Sequence, residues 1–178
     1  MTARSFLCRF AFLAIAIGFS SERAEACGFT WEYDLKGALE SATLWSRPAV
    51  LVFTGSDWSP RSIKLDQEVF SNTAFANWFG DSFSPCNADF PQRRPLPDAA
   101  LAENTALATK FKIKHFPTLI CLRPDGSEFA RLEYKGETVA QMTEIVKGWR
   151  EHFADANAMP ESARRRRTGL EAAGTGRE

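Results

Sequence analysis

Residues 49–53, Ala-Val-Leu-Val-Phe, are apolar at every position and rich in β-branched side chains. A run that short and that uniformly apolar predicts a strand buried on both faces of a parallel sheet. Thr54-Gly55-Ser56-Asp57 interrupts it with turn formers. From Pro60 the spacing turns helical: Ile63, Gln67 and Phe70 share one face, with Leu65 and Val69 on the adjacent one. Ser59 suits the N-cap, and Pro60 the first helical position, where a missing N–H costs nothing. Upstream, Leu35, Ala38, Leu39, Ala42 and Trp45 recur at helical spacing and predict a helix within residues 31–46 that covers the sheet, ended by Arg47-Pro48. Downstream, residues 72–79 predict another, with Phe75, Trp78 and Phe79 turned inward and Gly80 as its stop.

Residues 82–89 make a weak strand by propensity. Pro85 cannot donate to a ladder, so this strand is expected to be short, bulged or near an edge. Residues 90–97 form a proline-rich loop with Arg93 and Arg94, the pattern of an exposed connection. Asp98 is expected to cap a helix reaching about Phe111, with Leu101, Ala108 and Phe111 facing inward. A strand at 118–123, a turn at Pro124-Asp125-Gly126-Ser127 and a returning strand at 128–134 read as an antiparallel hairpin. Residues 137–153 close the pattern as a helix whose buried stripe is Val139, Met142, Ile145, Val146 and Trp149. Helices alternating with strands, plus a final hairpin, predict an α/β domain with a mixed sheet.

The two ends of the chain read differently. Residues 1–26 have basic Arg4 and Arg9, an apolar core at 10–19 and Ala24-Glu25-Ala26 as an A-x-A cleavage site, the pattern of a signal peptide. The expected product is exported, periplasmic or extracellular, with a domain at 27–155. Cys27 would be its first residue and a candidate for a lipid anchor, although Ala24 and Glu25 fit a lipoprotein cleavage box poorly. No other stretch has the ~20 apolar residues a membrane-spanning helix needs. Residues 156–178, with Arg164 to Arg167, read as a flexible basic tail. Lys and Arg total 22, as do Asp and Glu, so no overall field favours nucleic acid as a partner.

Two motifs carry a family resemblance. Phe-Thr-Gly-Ser-Asp-Trp at 53–58, followed by Lys-Leu-Asp-Gln-Glu-Val-Phe at 64–70, resembles the exported thioredoxin-like proteins. Phe116-Pro117-Thr118, before the apolar run 119–122, resembles that family's cis-proline loop. The likeness covers roughly residues 31–153. It implies a thioredoxin fold, a central mixed β-sheet flanked by helices, with strand 49–54 between strands 82–89 and 118–123. It also implies that Pro117 is cis and faces the start of the helix at Pro60.

The chain departs from the family at its reactive centre. Where the family carries Cys-x-x-Cys after the tryptophan, Ser59 and Ser62 stand here, and Phe53 takes the place of the buried acid. A hydroxyl cannot form a disulfide, so thiol–disulfide exchange is not expected at this site. Cys27, Cys86 and Cys121 follow the signal segment, an odd number. The resemblance puts Cys86 and Cys121 on strands either side of the central one, about 9.5 Å apart by inter-strand spacing, beyond the roughly 7 Å limit for a bridge. They are expected to be unpaired, buried and inert, and the competing reading is an enzyme that uses Cys86, Cys121 or Cys27 in atypical redox work.

His115, two residues before Pro117, would come near Ser59, but no acidic partner or Gly-x-Ser-x-Gly elbow supports a hydrolase. Two histidines and scattered cysteines leave no zinc set, and no cofactor is expected. What the resemblance retains is a groove formed by Trp58, Pro60, His115, Phe116, Pro117 and Thr118. Such a groove takes an extended peptide through backbone hydrogen bonds. The expectation is a non-catalytic peptide-binding or chaperone-like module. The competing explanation is that Trp58 and Pro117 serve stability alone.

Overall fold

The structure is a computed structural model, and it describes residues 28–158. The expected signal segment, Cys27 and the tail beyond residue 158 lie outside the described residues. At the centre stands β1 (Ala49–Thr54), whose first five residues are fully buried. It pairs in parallel with β2 (Ser84–Asp89) and antiparallel with β3 (Thr118–Leu122), which in turn pairs antiparallel with β4 (Glu128–Glu133). The order is therefore β2-β1-β3-β4, a mixed sheet.

Side chains alternate across β1 and feed two cores. Val50 and Val52 pack with Leu119, Phe75, Phe79 and Val146 on one face, while Ala49, Leu51 and Phe53 pack with Leu35, Ala38 and Phe111 on the other. The first face is covered by α3 (Thr73–Ser82), α5 (Val139–Ala158) and the helical segment that follows β1. The second is covered by α1 (Leu35–Leu44) and α4 (Asp98–Lys110).

The strand at 84–89 is regular, in register from Ala49 opposite Ser84 to Thr54 opposite Asp89. Ser84 N–H donates toward the centre, to Pro48 O, so the next position, Pro85, has its nitrogen facing away from β1. Proline is harmless there because an edge ladder loses no bond. Glu32 partly covers that edge, bridging to Cys86 and exchanging bonds with Pro85 O and Asn87 N–H at 3.0 and 2.8 Å.

Several expected positions differ. The first helix begins only at Leu35, capped by Asp34, whose carboxylate accepts from Gly37 N–H at 2.7 Å. Trp45 lies at its C-cap and is 65% exposed, because the helix ends before that turn reaches the sheet. Gly80 does not stop α3, which runs on to Ser82. Its role is close packing, since a Cβ there would lie 2.4 Å from the Phe29 Cβ. At α4 the N-cap is Pro97, with Asp98 in the first turn beside the helix's positive end. Leu101 on α4 is exposed, and buried Asn104 takes the inward position, donating to Asp89 O at 2.8 Å. The last helix continues past Phe153 to Ala158, and Thr138 with Gln141 forms a reciprocal capping box at its start.

Candidate functional site

Four segments meet where β1 and β2 end and β3 begins. β1 delivers Thr54 and Gly55, after which residues 56–59 turn into α2 (Pro60–Lys64). Gly55 is required for contact: a Cβ there would stand 2.5 Å from Trp58 Cε2, so the indole lies directly on the backbone. Ser59 is the N-cap, with extended backbone, and its hydroxyl accepts from Ser62 N–H at 3.4 Å. Pro60 occupies the first helical turn, as its fixed φ favours. Ser62 is buried and its hydroxyl accepts from Gly55 N–H at 3.2 Å, closing the turn on itself.

α2 continues into a π-helical segment, Leu65–Phe70, with Ser71 N–H bonded to Asp66 O at 2.9 Å. The wider turn brings Leu65, Val69 and Phe70 inward and leaves Gln67 exposed. An α-helical wheel groups Ile63, Gln67 and Phe70 instead, so that expectation is corrected by the change of pitch. π-turns of this kind often sit next to functional sites.

Across from the helix start, the Phe116–Pro117 peptide bond is cis. Pro117 and Thr118 are buried, Phe116 is half-buried and His115 is exposed. Thr118 Oγ1 donates to His115 O at 2.7 Å, which holds the loop, and Pro117 O accepts from Tyr134 N–H at 3.1 Å. Ser59 Oγ reaches Phe116 O at 3.5 Å, a long contact joining the two loops. No hydrogen bond links the His115 ring to Ser59 or Ser62 among the described residues, so the pair needed for a serine nucleophile is not assembled. Phe116 N–H has no hydrogen-bond partner among the described residues.

The residues after β2 complete the wall, and sequence reasoning did not place them there. Phe90 packs against Phe116 with ring centroids 5.3 Å apart, and Phe116 meets Trp58 edge-on at 5.7 Å. Trp58 Nε1–H donates to Phe90 O at 2.7 Å. The Asp57 carboxylate accepts from Gln92 N–H at 2.9 Å and Arg93 N–H at 2.6 Å. These bonds hold the Asp57 carboxyl below its ordinary value, chiefly through Gln92 N–H against an opposing desolvation, with Arg93 N–H and the Arg93 charge adding to it. Asp89 ties the other side, accepting from Thr54 Oγ1 at 2.8 Å and Ser56 N–H at 2.9 Å. The available signal was an aromatic residue and two arginines directly after a parallel strand, at the end where such sheets carry sites.

The cysteines lie elsewhere. Cys86 sits opposite Leu51 and Cys121 opposite Val50, so they belong to the two different cores on opposite faces of the sheet. Both are free and buried. Burial, helped by Asp34, Glu103 and Glu32, pushes the Cys86 thiol up to about 12. Burial pushes Cys121 up further. Burial thus disfavours the thiolate form of both. Among the described residues no three His, Cys, Asp or Glu side chains converge to hold a metal, and no helix is long and apolar enough to cross a membrane.

With this geometry, a family model for the thioredoxin-like domain matches residues 35–147. The chain is 29% identical over 110 residues to the disulfide bond reductase DsbH of Chlamydia pneumoniae, covering 62% of this chain and 66% of that one. It is 26% identical over 113 residues to the thioredoxin-related protein DsbJ of the same organism, covering 64% and 32% respectively. Each match thus spans less than two thirds of the relative's length. Among solved structures, a DsbH oxidoreductase is similar at TM-score 0.63 and 25% identity, covering 82% of this chain and 93% of that one. A thioredoxin from Thermus thermophilus shares the fold at TM-score 0.53 and 18% identity, covering 68% and 86%.

Proposed function

Because this chain belongs to the thioredoxin-like domain family, we propose that it is a member without the redox dithiol, which binds an extended peptide or protein segment at the Trp58–Phe116 wall. The observation that carries this reading is the pair Ser59 and Ser62 at the helix start, beside an aromatic wall and an unpaired Phe116 N–H. Thiol–disulfide exchange needs a thiolate that attacks and a second thiol that resolves. Ser59 and Ser62 supply neither, and Cys86 and Cys121 are buried on opposite faces with thiols held protonated. What remains at this end is a binding surface: an exposed indole edge, a half-buried Phe116 and free backbone for β-type addition.

The test is insulin reduction by dithiothreitol in the presence of the full chain. The expected rate equals that of buffer. Turnover well above buffer that disappears in Cys86→Ala or Cys121→Ala would establish the competing enzyme reading. We further propose that the protein is exported, on the strength of Arg4, Arg9 and Ala24-Glu25-Ala26. Intact mass of the native protein is expected to place the N-terminus at Cys27. A chain retaining Met1 would refute export, and an added diacylglyceryl mass would make Cys27 a lipid anchor.

A further inference from the structure

The loops that build the wall carry an unbalanced charge. Segments 55–61, 90–97 and 114–117 contain four cationic side chains, Arg61, Arg93, Arg94 and Lys114, against one carboxylate, Asp57. The chain as a whole is formally neutral, so this is a local concentration. All four cationic residues are exposed, and none forms a salt bridge among the described residues.

Two acidic groups at the same end, Asp57 and Asp89, are already engaged, while Asp66 beside Ser56 and Ser62 is exposed. Asp57 is held by two backbone N–H groups, and Asp89 by Thr54 and Ser56. In the next loop Glu137 accepts from Lys135 and Gly136 N–H at 2.7 and 3.1 Å, and Glu133 lies near Arg131. Arg93 partly answers Asp57. Arg61, Arg94 and Lys114 have no ion-pair partner among the described residues. The loop bearing Arg93 and Arg94 is also fixed in place, because Asp57 clamps its backbone and Trp58 clamps Phe90 O. Cations on the segments that build an apolar strip favour a partner with charge at the rim and an apolar side chain at the centre.

We infer that the occupant of this wall is an acidic, extended polypeptide segment, with an apolar residue against Trp58 and Phe116 and Asp or Glu residues flanking it. The inference rests on the peptide-binding reading above and adds the chemistry of the partner. A polypeptide suits the site better than nucleic acid because the cations lie on the few segments that carry one short aromatic strip with a free backbone N–H, whereas a nucleic acid strand needs an extended basic track.

The experiment titrates the full chain into three short fluorescent peptides and follows anisotropy. Each has a central leucine, flanked by Asp and Glu, by Asn and Gln, or by Lys. The acidic peptide is expected to bind about fivefold tighter than its amide counterpart, as two exposed charge pairs would give, with the advantage shrinking as salt rises. Arg93→Glu with Arg94→Glu is expected to abolish that advantage, with circular dichroism confirming the fold. Arg94→Ala alone, which leaves the clamped backbone untouched, is expected to reduce it. Trp58→Ala is expected to weaken all binding. Equal affinity for acidic and amide peptides would overturn the charge inference and leave the groove standing, whereas failure of all three to bind would remove the groove as well. Acidic binding insensitive to Trp58→Ala, or displaced fully by a single-stranded oligonucleotide, would overturn the inference.

Discussion

The carboxylate of Asp57 accepts the backbone N–H of Arg93 at 2.6 Å, across 36 residues of chain. A residue that reads locally as a turn former thus ties the loop after β1 to the loop after β2. The same carboxylate takes Gln92 N–H, so both bonds depend on its charge.

That dependence predicts a pH effect. Asp57 titrates below its ordinary 3.8 in the folded chain. Its contribution to stability is therefore fully present above the unfolded value and is lost as pH falls through the lower, folded value. In urea unfolding series from about pH 5 downward, the parent chain is expected to lose stability faster than Asp57→Asn, whose amide does not titrate there. Comparing the two removes the share of other low-titrating carboxylates such as Asp125, which Ser127 hydrogen-bonds. Parallel curves would mean the Asp57 clamp has no energetic weight in solution.

Trp58→Phe tests the second tie. The substitution keeps an aromatic ring beside Phe116 and removes the donor to Phe90 O. The expected loss is about 0.5–1.5 kcal/mol, the net worth of one hydrogen bond, read as a lower urea midpoint with unchanged slope. A midpoint equal to the parent's would show that water replaces the indole at Phe90 O without cost.

Restoring the dithiol tests the placement of the serines. Ser59 Oγ and Ser62 N stand 3.4 Å apart across one helical turn, a spacing at which side chains three apart face one another. In Ser59→Cys with Ser62→Cys, a disulfide is expected to close under oxidising conditions. A thiol count equal to the parent's before reduction, and two higher after it, is the expected result. Two extra free thiols in the oxidised protein would contradict the geometry of this turn.

The sequence alone determined the elements whose signal is local. β1 was legible because a strand buried on both faces must be apolar at every position, and residues 49–53 are fully buried. The Ser59 cap and Pro60 start were legible because capping involves only neighbouring residues. The final hairpin already implied a mixed sheet, and the resemblance supplied the strand neighbours of β1 and the expectation for the loop at Pro117.

Tertiary structure decided what depends on which other segment arrives. Trp45 and Leu101 have helical spacing, yet no element covers them, so both stay exposed. Gly80 reads as a helix stop, and only the approach of Phe29 shows why it lacks a side chain. The pitch change at Leu65–Phe70 is invisible to a fixed helical period. The site itself divides the same way. Its serines and tryptophan could be named from the chain, but Phe90, Asp89 and the clamp at Asp57 could not. They exist because β1 and β2 pair in a register that sets Thr54 opposite Asp89, so both strands release their loops at one point. That register is fixed by packing on two faces of a sheet, a long-range condition that no stretch of residues near Trp58 expresses.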